Sequence, residues 1–127
     1  SVTAGLALID TMQSLDCPVI TVGEGVVASM AAVILACGDR RQVYRHTQVL
    51  IHQLMGGTGM AQQTDIEIVA QHTAAMRAEL DELLAEHGNL NAQEFHELTE
   101  RDCWCNARRA LELGLVDEVI APSKKAL

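Results

Sequence analysis

Apolar residues recur along this chain at more than one period, and the changes of period mark out its elements. Leu6, Ile9, Met12 and Leu15 fall at helical spacing, so Ala4 to Leu15 reads as a helix. Pro18 to Val22 is a short apolar run ended by Gly23-Glu24-Gly25, the pattern of a buried strand. Ser29 to Cys37 reads as a buried helix closed by Gly38. Gln42 to Arg45 and Gln48 to His52 give two more strands, and Gly56-Gly57-Thr58-Gly59 a loop or weakly extended segment. Thr64 to His87 is a long helix. Asn91-Ala92-Gln93-Glu94 has the form of a capping box, and Asn106 opens a further helix that stops at Gly114. Leu115 to Ile120 is a last strand, and Ala121 to Leu127 has no pattern. Strands alternating with helices predict an α/β domain with a mostly parallel sheet. No Pro/Ser linker, charge block or repeat divides the chain, so residues 1–127 read as one domain. Its first helix has no strand before it, and a βα unit without its β leads us to expect an N-terminally truncated piece of a longer domain.

Composition narrows the function classes. Tyr44, Phe95 and Trp104 are the only aromatic residues, which disfavours base stacking and sugar binding. A net charge of −8 disfavours a phosphate backbone, so no nucleic-acid partner is expected. No apolar run approaches the ~20 residues that span a bilayer, and no basic-then-apolar leader opens the chain. The expectation is a protein without membrane contact, in the cytoplasm or an organelle matrix or stroma. Four cysteines, Cys17, Cys37, Cys103 and Cys105, would permit two disulfides, but so apolar a chain needs no staples, and free thiols in a reducing compartment are expected. Cys103-Trp104-Cys105 is not a C-x-x-C motif, and no His or acidic cluster has metal-ligand spacing, so neither metal nor cofactor is expected.

Three residues carry candidate chemistry. Ser29 stands where the strand before it turns into a helix, a position that presents a hydroxyl on top of a sheet beside free main-chain N–H groups. His52 ends the apolar run Val49-Leu50-Ile51, and Asp102 ends Thr99-Glu100-Arg101-Asp102. Serine, histidine and aspartate are the parts of a nucleophilic hydrolase. Each also has a plainer role: a helix cap for Ser29, a histidine satisfied by a backbone carbonyl for His52, a partner of Arg101 for Asp102. Spacing alone leaves both readings open. His46, His72, His87 and His96 read as solvated.

The long helix carries a second signal. Ile66, Val69, Thr73, Met76, Leu80, Leu83 and His87 alternate steps of three and four, a heptad seam. Such a seam suits packing on the chain's own sheet or pairing with a helix of another subunit. The Gly56-Gly57-Thr58-Gly59 run lacks the Gly-Lys-Ser/Thr of a phosphate loop and reads better as a flexible edge that admits a peptide backbone.

The segment Gly25-Val26-Val27-Ala28-Ser29-Met30-Ala31-Ala32 resembles the nucleophile segment of the ClpP family, the proteolytic subunits of Clp proteases. The likeness continues in order along nearly the whole chain. Thr3-Ala4-Gly5 to Gln13 is similar to the helix after the family's Gly-Gly turn, and Leu50-Ile51-His52-Gln53 to its histidine strand. Gln63 to Ile68 is similar to the start of its long handle helix. Thr99 to Asp102 matches its acid motif, and Ala110 to Asp117 its Ala-x-x-x-Gly-Leu-Val-Asp ending. Leu54 stands where the family usually has proline, and Val27 where it usually has alanine, differences that bear on pocket shape and peptide preference.

The resemblance implies a crotonase-like α/β fold with flanking helices and a protruding handle helix. It implies a serine endopeptidase in which Ser29 is the nucleophile, His52 the general base and then acid, and Asp102 the residue that orients the imidazole. The Met30 N–H would be one oxyanion donor, the other coming from the family's Gly-Gly turn before the position of Ser1. The strand around Gly56 and Gly57 would pair with the substrate backbone. The implied assembly is a homo-oligomer of two stacked heptameric rings, fed with unfolded polypeptides by an AAA+ Clp ATPase. Two alternatives remain at this stage, a catalytically inactive ring subunit and a crotonase-fold enzyme acting on CoA thioesters.

Overall fold

The computed structural model describes residues 1–121; the unpatterned tail after Ala121 lies outside the described residues. In chain order the elements are α1 (Val2–Gln13), β1 (Ile20–Gly23), β2 (Val26–Ala28), α2 (Met30–Ala36), β3 (Arg40–Tyr44) and β4 (Gln48–Ile51). They continue with α3 (Gln63–His87), α4 (Ala92–Leu98), β5 (Cys103–Asn106), α5 (Ala107–Glu112) and β6 (Glu118–Ile120). The expected capping box at Asn91 is present: its side chain accepts from the Glu94 N–H while Glu94 accepts from the Asn91 N–H.

The strands form two three-stranded sheets, in the orders β1-β3-β6 and β2-β4-β5. Three of the four pairings are parallel and β4 with β5 is antiparallel, which agrees with the mostly parallel expectation. The chain crosses from the first sheet to the second at Gly25, whose φ of +62° is a conformation that L side chains rarely adopt. Two strands lie where the hydrophobic pattern gives none. β2 is three residues long and caught between Gly25 and Ser29, while β5, Cys-Trp-Cys-Asn, has no β-branched residue.

Helix α2 runs through the middle of the core, with Ala32, Val33, Leu35 and Ala36 buried. Val43 comes from one sheet and Val49, Ile51 and Cys105 from the other, and Ile9, Leu84, Phe95 and Leu115 close the core from outside. At Gly5 any Cβ would run into the Met30 side chain, so glycine lets α1 lie directly against the start of α2. Arg41 ties the far end together. Its guanidinium pairs with Asp117 and donates to the carbonyls of Ala36, His87 and Gly114.

Helix α3 has 25 residues and is about 37 Å long at 1.5 Å per residue. Residues 63–80 of it contain no buried side chain. The two ends of the seam therefore differ. Leu80 and Leu83 pack against this chain's own core, whereas Ile66 is 47% exposed. The upper part of the helix protrudes, as the handle of the resembling family would.

Candidate active site

Ser29 follows the last residue of β2 and precedes the first of α2. Its backbone has φ 59° and ψ −129°, the only positive φ of a non-glycine residue among those described. Strain of this kind costs about 1–3 kcal/mol and persists only where the surroundings hold it. Here the Ser29 N–H is fixed to the Leu50 carbonyl at 2.9 Å, and its own carbonyl accepts from Ala32 at 2.9 Å as the helix starts. The side chain does not cap the helix, so the plainer role for this serine drops away. The Met30 N–H, first in the helix, has no acceptor among the described residues.

Strand register sets the other two residues. Ala28 faces Leu50 across the parallel β2–β4 pair, and Ile51 faces Cys103 across the antiparallel β4–β5 pair. One step further along, Ser29, His52 and Asp102 stand at the same rim of one sheet. Histidine is in the centre strand position, between the serine and the aspartate. Adjacent strands lie about 4.8 Å apart, so the order β2-β4-β5 is the order a Ser-His-Asp relay needs.

The three side chains share this rim without hydrogen bonds among them. His52 Nδ1 lies 2.6 Å from the Gln53 carbonyl oxygen. A carbonyl only accepts, so Nδ1 carries the proton and Nε2 is left as the acceptor, the tautomer a general base requires. This carbonyl contact is the plainer role foreseen for the histidine, and it coexists with the rim geometry. Asp102 is exposed and makes no ion pair with Arg101.

A cavity of about 420 Å³ opens beside Ser29, with Met30, Val33, Leu80 and Leu84 as apolar walls and Asp81 and Thr99 among its polar ones. His52 and Gln53 line it too, and also line a second hollow of about 600 Å³ that contains Asp102. The segment from His52 to Met55, with Thr99, thus separates the serine's side from the aspartate's. Gly56 and Gly57 are exposed and belong to no strand in this structure. Residues 54–58 make no backbone hydrogen bond with the described residues, so this loop offers an unpaired edge beside a groove of about 460 Å³ against α3.

Sequence reasoning missed two features of the site. Arg77, on α3, donates to Gln53 Oε1 at 2.9 Å, to the His96 carbonyl at 3.0 Å and to Glu100 Oε2 at 3.1 Å. It is the only arginine or lysine of that helix, the one signal that could have singled it out. His96, expected to be solvated, instead reaches the buried Asp81 carboxylate at 2.7 Å. The four thiols are free. Burial, with Glu86 nearby, pushes the Cys37 thiol up to about 11, and burial together with Cys103 pushes Cys105 up to about 12. Such thiols are poor nucleophiles. No cluster of His, Cys, Asp or Glu among the described residues could hold a metal ion.

Residues 1–123 match the family model described as Clp protease. The chain belongs to the Clp protease family. It is 41% identical over 126 residues to the ATP-dependent Clp protease proteolytic subunit of Streptococcus sanguinis (strain SK36), covering 97% of this chain and 64% of that one. The subunit of the same description from Lactococcus lactis subsp. cremoris (strain SK11) is 40% identical over 123 residues, 94% of this chain and 62% of that one. That of Streptococcus pneumoniae (strain Hungary19A-6) is 41% identical over 124 residues, 95% and 63% respectively. The chain thus spans less than two thirds of the length of these relatives. Membership of the Clp protease family removes the CoA-thioester alternative. No helix among the described residues is long and apolar enough to cross a membrane.

Proposed function

We propose that the protein is a serine endopeptidase core in which Ser29, His52 and Asp102 form the catalytic triad. The observation that carries this reading is the register: Ser29, His52 and Asp102 flank three adjacent strands at one rim, and Ser29 alone among the described non-glycine residues has a positive φ. His52 Nε2 takes the Ser29 hydroxyl proton as Oγ attacks the scissile carbonyl carbon. The oxyanion accepts from the Met30 N–H, a donor that no group among the described residues occupies. Collapse passes the proton from His52 to the leaving amine, and water then attacks the acyl-enzyme by the same route in reverse. During these steps the Nδ1–H leaves the Gln53 carbonyl for the Asp102 carboxylate, each residue lying next to the last rung of the β4–β5 pair, Ile51 with Cys103.

The extended substrate lies along the unpaired edge at Gly56 and Gly57. Main-chain hydrogen bonds there read no side chains and so tolerate many sequences. The relatives' names describe a proteolytic subunit of an ATP-dependent protease. In keeping with that, the working form is a homo-oligomer of two stacked heptameric rings, supplied with unfolded polypeptides by an AAA+ Clp ATPase in the cytoplasm or an equivalent compartment.

Hydrolysis of a short fluorogenic peptide tests the triad. Ser29→Ala and His52→Ala should each lower kcat by about four orders of magnitude or more, with little further loss when combined, because triad members act as a unit. Asp102→Asn should lose most of the rate with the fold intact, and Glu100→Gln far less. A crippled Glu100→Gln beside an active Asp102→Asn would move the acid to the wrong residue.

A further inference from the structure

Beyond the last rung, where Ile51 faces Cys103, the hydrogen bonds that join the His52 segment to the Asp102 segment all run through Gln53. Its N–H donates to the Thr99 carbonyl at 2.9 Å, and its side-chain Nε2 to the Glu100 carbonyl at 2.8 Å. The Gln53 carbonyl holds His52 Nδ1. An amide side chain can present either end, and its neighbours decide which. Arg77 has only donors. By placing Nη1 on Gln53 Oε1 it forces the amide nitrogen toward Glu100. The same guanidinium holds Glu100 itself through Nη2. It is 17% exposed, and its Nε is buried with no acceptor, so the head sits where these acceptors draw it and not where all its own donors are satisfied.

We propose that Arg77 is a positioning residue of the peptidase site, acting through Gln53 to hold the His52 and Asp102 segments in register; this rests on the triad reading. Arg77 borders both the cavity beside Ser29 and the groove at Gly56 and Gly57, but its guanidinium is turned to Gln53, His96 and Glu100 and acts on the reacting atoms only through them. It fixes the distance over which the imidazole must reach its aspartate, and misplacements of the order of an ångström cost catalysis about ten- to a hundredfold. The loop that follows Gln53 carries the substrate edge, but the strap ends at Gln53. The effect therefore belongs to kcat.

The test is peptide hydrolysis by the whole protein as encoded, with thermal denaturation alongside. Arg77→Met should lower kcat about tenfold or more and leave KM within about twofold. Arg77→Lys should recover part of that loss, since an ammonium reaches one of the three acceptors but lacks the fork. Gln53→Met should reproduce the Arg77→Met effect, and the double variant should be no worse than either single one. Additive losses, or a loss confined to KM or to melting temperature, would overturn the proposal. Should Arg77→Met fail to fold, Gln53→Met and Arg77→Lys carry the same comparison. Ser29→Ala in the same assay separates the two levels. If it keeps full activity the triad reading is wrong and this proposal falls with it. If it is inactive while Arg77→Met and Gln53→Met match the wild type, the positioning role alone is wrong.

Discussion

Ser29 holds its φ of 59° with a Cβ attached, and that combination is what the site keeps at the expense of stability. Replacing it with alanine retains the Cβ and the strain, so Ser29→Ala isolates the hydroxyl. Replacing it with glycine releases the strain. Ser29→Gly should therefore raise the melting temperature, by a gain of about 1 kcal/mol, while abolishing hydrolysis. A melting temperature that falls would mean the turn is not strained. Ser29 and His52 were legible as candidates because a strand-to-helix turn and the end of an apolar run can both be read locally. Asp102 was legible through its motif but not through its contacts. Arg77 was not legible, because its three acceptors come from a loop, a helix end and a turn that only the fold brings together.

At the scale of elements, the long helices and the more apolar strands follow from periodicity, whereas β2 and β5 do not. Both are short, and both exist because β4 offers its edges to them, a tertiary cause that no window of sequence contains. They are also the strands that carry Ser29 and Asp102 at their ends, so the least legible elements are the ones that assemble the site. In the other sheet, β3 and β6 are joined by Arg41 and Asp117. The Arg41 hydrogen bond holds the Asp117 carboxyl below its ordinary 3.8. Because the folded value lies below the unfolded one, this pair's contribution is complete above that ordinary value and is lost as pH falls through the folded one. Melting temperature should thus fall more steeply with acidification below about pH 4 in the wild type than in Asp117→Asn. Parallel acid limbs would show that the pair contributes nothing.

For the molecule as a whole, α3 sets part of its hydrophobic seam against the core and leaves part exposed, and the proposed assembly would draw on the exposed part. Leu80 packs inward, so Leu80→Lys should destabilise the chain itself, by about 2–5 kcal/mol, through a charge forced toward the core. Ile66 is exposed here, so Ile66→Lys should leave the melting transition nearly unchanged and shift sedimentation toward smaller particles. The same large particle after Ile66→Lys would exclude that face from the proposed assembly. The seam was legible in sequence as an apolar stripe, but not its division, since depth of burial depends on where the body of the domain ends. The proposed chemistry rests on one atom, the Ser29 hydroxyl oxygen, and a covalent label tests it. A fluorophosphonate probe reacts only with a serine whose base and oxyanion donors are in place. After labelling and peptide mapping, the adduct should lie on Ser29, be lost in His52→Ala and be strongly reduced in Asp102→Asn. An adduct on another residue, or peptide hydrolysis that persists with Ser29 unlabelled, would contradict it.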